Sequence, residues 1–132
     1  IALFQHDGFI ALVPLGDAAP LRALAAEVVQ GLDHFRAPLT ATEVSRRHPE
    51  CLTERQRNLL TLYGYPYVME EFQFHLTLSD KLPPTRADDL QKAASSHFSG
   101  LLPQPFVIED LCLFGEDQDN RFHLLHRYPL IA

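Results

Sequence analysis

The stretch YGYPYVMEEFQFHLTLSD, Tyr63 to Asp80, decides how the chain reads. Its second half alternates without a break. Phe72, Phe74, Leu76 and Leu78 fall on one side of an extended chain, and Gln73, His75, Thr77 and Ser79 on the other, because successive strand side chains point to opposite faces. Pro66 forces an extended entry, and Pro83 with Pro84 cannot continue a ladder. The pattern predicts a strand over residues 72–79 with one apolar face and one wet face. Three tyrosines, Tyr63, Tyr65 and Tyr67, lead into it.

Working outward, the first residues read IALFQ, then HDG, then FIALVP. Asp7-Gly8 between two β-prone runs is a hairpin signal, since Gly accepts the positive φ of a tight turn. Asp17 and Pro20 then mark a helix start. Leu21, Leu24, Ala25, Val28, Leu32 and Phe35 share one face of that helix. Thr40 with Glu43 and Thr53 with Gln56 have the spacing of capping boxes, so each opens a short helix, the second ending at Gly64. Beyond the prolines, Thr85 with Asp88 predicts a further helix start, and Leu90, Ala93, Ala94, His97 and Leu101 a helical face. FVIEDLCLFGE and RFHLLHRYPL then read as two strands around a polar turn. The order β-β-α, two small helices, β-α-β-β predicts an α+β fold, a mostly antiparallel sheet layered with helices.

Charge and composition narrow the function. Eleven Lys and Arg against seventeen Asp and Glu give a net charge of −6, which repels a phosphate backbone at long range, so no extended nucleic acid is expected as a partner. No apolar run approaches the roughly 20 residues of a membrane-spanning helix. The opening run breaks at Gln5 with no basic segment before it, unlike a signal peptide. Cys51 and Cys112 lie far apart and read as buried or free thiols and not a disulfide framework, which points to a cytoplasmic location. The chain has no Gly-rich phosphate loop, P-loop or dinucleotide fingerprint, and no cofactor is expected.

The chemistry sits on the wet face of the strand. His75 and Thr77 project side by side at i and i+2. An imidazole, with an ordinary pKa of about 6.5, takes or gives a proton near neutrality. A hydroxyl beside it donates to an anionic oxygen. The pair suits a phosphate, with the threonine holding an oxygen and the histidine moving the proton. By itself a His-x-Thr spacing occurs on many wet strands. Tyr65 and Tyr67 are candidates to line the pocket, and Arg127 and Arg36 to supply positive charge.

YGYPYVMEEFQFHLTLSDKL, together with FRAPLT at Phe35 to Thr40, LTERQRNLL and the closing HRYPL, resembles a branch of the two-histidine (2H) phosphoesterase superfamily. Members of that branch accompany phosphonate-degradation operons in bacteria. The resemblance implies a bilobal α+β fold with one His-x-Thr/Ser motif from each lobe, facing one another across a cleft. It also implies a phosphodiesterase that needs no metal and opens a small cyclic phosphate ester, a nucleotide or a phosphorylated sugar. Carried onto this chain, it assigns His75 and Thr77 as one motif, by position the second.

The first motif is not found among the remaining histidines. His97-Phe98-Ser99 fits the letters but falls in a predicted helix, where i and i+2 do not share a face. His34 and His48 lack the hydroxyl two residues on. His123 and His126 stand three apart on a strand and make a poor metal pair. Residues 1–132 are therefore expected to form a single 2H phosphoesterase-like domain without its N-terminal part, one lobe plus part of the other. Two further readings stay open: a non-catalytic lobe that binds a phosphate ligand or serves structure alone, and a homodimer that sets two copies of His75 face to face.

Overall fold

The structure, a computed structural model, describes residues 1–6 and 8–130, and at residue 6 the backbone alone. Strands β1 (Ala2–His6) and β2 (Phe9–Val13) form the opening hairpin, and α1 spans Ala19–Leu32. Helices α2 (Ala41–Ser45) and α3 (Glu54–Tyr63) are followed by β3 (Leu76–Thr77), α4 (Pro84–Phe98), β4 (Asp110–Glu116) and β5 (Phe122–Pro129). One antiparallel sheet has the order β1-β2-β3, and β4-β5 pair as a separate antiparallel hairpin. The fold is α+β with antiparallel sheets, as the sequence order predicts.

The first turn shows why glycine stands there. Asp7 lies outside the described residues, but Gly8 has a φ of 85°. A Cβ on it would stand 2.5 Å from the Leu82 carbonyl oxygen. The backbone of Leu82 donates to the Gly8 carbonyl at 3.1 Å, so the turn is clasped from behind by the segment that follows β3. Both the dihedral and the close approach require the missing side chain.

Register assigns the faces of the sheet. Ala11 stands opposite Phe4 and Thr77, and Leu12 opposite Leu3 and Leu76. Directly opposed residues share a face. Phe4, Ala11 and Thr77 therefore lie on one side, and Leu3, Leu12 and Leu76 on the other. Helix α4 covers the second side, and Gln5 reaches it through a hydrogen bond from Nε2 to Asp88 Oδ1 at 3.3 Å. Ile10 and Leu12 are buried there, each worth about 1.5–3 kcal/mol of apolar burial.

Four details depart from the sequence reading. Regular pairing of the third strand covers Leu76–Thr77 only, not residues 72–79. Extending the register of Ala11 with Thr77 puts Phe74 opposite Pro14, which has no N–H to give, and β2 has ended. Pairing persists in the other direction, where Leu78 N–H donates to the Ile10 carbonyl at 2.9 Å and Ile10 N–H to Ser79 Oγ at 3.2 Å. Helix α4 starts at Pro84 behind Pro83, not at Thr85, because a first-turn residue needs no donor. Its buried residues are Ala87 and Ala94, while Leu90 and Ala93 are exposed. Small residues let the helix approach β1 closely, so the contact face is rotated from the row of larger apolar residues. At α1, Asp17 Oδ1 accepts from Ala19 N–H at 2.8 Å, but Ala18 occupies the cap position.

Both capping boxes form as read, Thr40 with Glu43 and Thr53 with Gln56. Helix α3 buries Leu59 and Leu60 near Leu52, Pro66 and Val68, which are buried as well. It ends at Gly64, φ 74°. Arg55 pairs with Glu70, and Gln56 Nε2 donates to Glu71 Oε2 at 2.9 Å. These contacts moor the residues leading into β3 on a rigid helix. Among the described residues no helix is long and apolar enough to cross a membrane.

Candidate functional site

His75 and Thr77 stand on the sheet face away from α4. Opposite them, β1 and β2 supply Phe4, Phe9, Ala11 and Val13, and the segment before β3 supplies Tyr67, Gln73 and Phe74. Together these residues line a pocket of about 470 Å³, within the size range of small-molecule sites, roughly 300–1,000 Å³. The floor is rigid because Ile10, fully buried, sits beneath it.

The imidazole is oriented by the segment that leads into β3. His75 Nδ1 lies 2.9 Å from the Gln73 carbonyl oxygen. A carbonyl only accepts, so this bond assigns the proton to Nδ1. The neutral ring then keeps its lone pair on Nε2, the nitrogen left to take a proton from water or a hydroxyl. Thr77, two residues along, is exposed and lines the same pocket. The arrangement can move one proton and hold one oxygen.

Of the other candidates, Tyr67 lines the pocket and Tyr65 does not. The two rings meet edge to face at 5.7 Å between centroids, and the Arg47 guanidinium lies 4.8 Å from the Tyr65 centroid. Tyr65 is thus an outer brace for Tyr67. Arg127 is on β5, with Nη1 3.3 Å from Asp110 Oδ2 across the hairpin, and is not among the lining residues. Arg36 is committed elsewhere. It bonds Asp33 Oδ1 at 2.8 Å and the Leu62 carbonyl at 2.9 Å, tying the end of α1 to α3.

A cation missed in the sequence lies nearer. Arg22, in the first turn of α1, lines a recess that shares Phe4, Val13, Gln73 and Phe74 with the pocket. Among the described residues its guanidinium has no ion-pair or hydrogen-bond partner. Its place between Leu21 and Leu24 is the pattern of a solvated position on an amphipathic helix. A cue was available, since α1 follows β2 within a few residues and its first turn must sit near that strand's end.

His97 lies on α4 with its ring against Phe98, 5.1 Å between centroids, away from the pocket. His123 Nε2 is 2.7 Å from Asp117 Oδ2 at the β4–β5 turn. Among the described residues no group of three or more His, Cys, Asp or Glu side chains is placed to hold a metal ion. Cys51 and Cys112 are free and exposed.

Comparison with known proteins adds the following. The family model described as "Protein of unknown function (DUF1045)" matches residues 1–123. A protein of Janthinobacterium sp. (strain Marseille) named ribose 1,5-bisphosphate phosphokinase PhnN is 37% identical over 113 residues, covering 83% of this chain and 25% of the relative. A protein of the same name from Laribacter hongkongensis (strain HLHK9) is 32% identical over 112 residues, covering 85% of this chain and 25% of the relative. The chain thus spans about a quarter of the length of these curated relatives. No solved structure matches it.

Proposed function

The chain belongs to the DUF1045 family, and from that premise we propose that the whole protein is a phosphodiesterase that opens a small cyclic phosphate ester, with His75 moving the proton and Thr77 holding a phosphate oxygen. The observation that carries this reading is the pair itself, side by side on a sheet face beside a ligand-sized pocket, with the imidazole proton tied to Nδ1 by the Gln73 carbonyl. Water attacks phosphorus and gives its proton to Nε2 of His75, while the bond from phosphorus to the departing ring oxygen breaks. In the two-motif scheme of the 2H resemblance, that oxygen takes its proton from the histidine of the first motif, a motif not found in these 132 residues. Independence from metal rests on the same resemblance.

The names of the two relatives support a setting in phosphate-ester metabolism of the phosphonate-degrading kind. Kinase chemistry is not carried over, because this chain has no P-loop. In the intact protein, His75→Ala should lower turnover of cyclic phosphate esters by 10²-fold or more, the range for losing a general acid or base. A variant with a near-normal rate removes His75 from the chemistry. A second reading, a non-catalytic lobe that holds a phosphate ligand, draws on the single His-x-Thr motif. Binding without turnover in the intact protein decides for it.

A further inference from the structure

A second pocket shares no lining residue with the one beside His75. It forms where the end of α1 and the residues after it meet α2 and α3, and it encloses about 620 Å³, again within the size range of small-molecule sites. Leu39, Val44 and Leu60 give it an apolar wall, with Leu60 buried. Its charged side chains are Asp33, Arg36 and Arg57. The first two cancel, since Arg36 Nε bonds Asp33 Oδ1 at 2.8 Å. Arg57 is different. Its Nη1 donates to the backbone carbonyls of Leu52 and Pro49, and among the described residues no carboxylate pairs with it. The two carbonyls hold the guanidinium in place, while Nε and Nη2 have no acceptor among the described residues.

We infer that this second pocket binds a small organic carboxylate, its head on Arg57 and its apolar body along Leu39, Val44 and Leu60. A guanidinium fork with unused N–H donors matches a planar carboxylate. Because the fork is already fixed by two carbonyls, part of the ordering cost of binding is met before the ligand arrives. With Asp33 cancelling Arg36, one positive charge is left over, and one negative charge balances it. A doubly charged phosphate would bring a second negative charge into a pocket that already holds Asp33. A sugar would set its hydroxyls on the apolar wall and lose hydrogen bonds to water. The site is separate from the phosphate chemistry proposed for His75 and Thr77 and does not depend on it.

The test is calorimetric titration of the intact protein with hexanoate, acetate and hexanamide. Hexanoate should bind at least 10-fold more tightly than acetate, since two buried methylenes suffice at about 4-fold each. Hexanamide has the same tail without the charge and should bind about 10-fold more weakly than hexanoate, the order for a lost charge-assisted hydrogen bond. Arg57→Ala should weaken hexanoate by about the same factor. That variant also frees the Leu52 and Pro49 carbonyls, so Thr61→Glu accompanies it as a guard against a folding defect. Thr61 is exposed one turn along α3, where its hydroxyl donates to the Arg57 carbonyl at 3.0 Å. A carboxylate there competes for Arg57 and should weaken hexanoate several-fold. No hexanoate binding, equal binding of hexanoate with either other probe, or a loss in only one of the two variants overturns the inference. So does a hexanoate titration that His75→Ala weakens and Arg57→Ala leaves unchanged, which would put the probe in the other pocket.

Discussion

Two antiparallel assemblies in this chain arise from similar local signals and end in opposite surroundings. In β1-β2-β3, helix α4 closes one face, Ile10 is fully buried, and the other face carries the pocket. In β4-β5, every residue of β5 is exposed, including Phe122 at 70% and Leu125 at 62%. Both assemblies have alternating apolar residues and a polar turn. What differs is cover, which no local pattern encodes. A two-stranded hairpin in water is marginal by itself, so β4-β5 leans on its ladder and its turn, whereas the first sheet leans on burial.

The sharpest way to break this contrast is stability. Ile10→Ala should cost about 2–5 kcal/mol, the range for truncating a fully buried aliphatic side chain. Leu125→Ala should stay within about 0.5 kcal/mol, as for an exposed position. Denaturant unfolding of the intact protein reads both. Equal costs would mean that β5 is covered there by protein beyond these residues, and the contrast would vanish.

A second way concerns which assembly supplies the ligand's counter-charge. Arg22 flanks the pocket from α1, while Arg127 faces Asp110 on the hairpin. Arg22→Ala should weaken phosphate-ester binding about 10-fold, as for a lost charge-assisted hydrogen bond, and Arg127→Ala by less. The reverse order would bring the hairpin over the sheet face and restore Arg127 as a ligand contact.

The same two arginines mark how much was legible from residues alone. Element order and both capping boxes could be read because each signal lies within a few positions, Thr40 to Glu43 or Thr53 to Gln56. The His75–Thr77 face was legible because a strand's parity is local. The length of β3 was not, since Pro14, far away in sequence, ends its partner. The buried face of α4 was not, because close approach to β1 favours Ala87 and Ala94 over larger neighbours. Arg22 was hidden for a similar reason: its nearness to Gln73 and Phe74 spans more than a third of the chain and leaves no periodic trace.

The smallest expected effect tests the claim that the hairpin depends on its turn. Asp117 Oδ1 accepts from the backbone N–H groups of Asp119 and Arg121 at 2.9 and 3.0 Å, and Oδ2 faces His123 Nε2 at 2.7 Å. The His123 hydrogen bond first, and these backbone bonds next, hold the Asp117 carboxyl below its ordinary pKa. A carboxylate lowered in the folded state stabilises fully above its unfolded pKa, about 3.9 for Asp, and the contribution is lost as pH falls through the lower folded value. Acidification below about pH 4 should therefore move the backbone NMR shifts of residues 117–121 toward those of an open turn, before the β1-β2-β3 shifts change. Asp117→Asn keeps an acceptor oxygen for the two backbone amides but has no proton to gain, so its turn should show no such step. A step that persists in the Asn variant would place the acid sensitivity elsewhere. It would also leave the hairpin without the turn lock that sets it apart from the buried sheet.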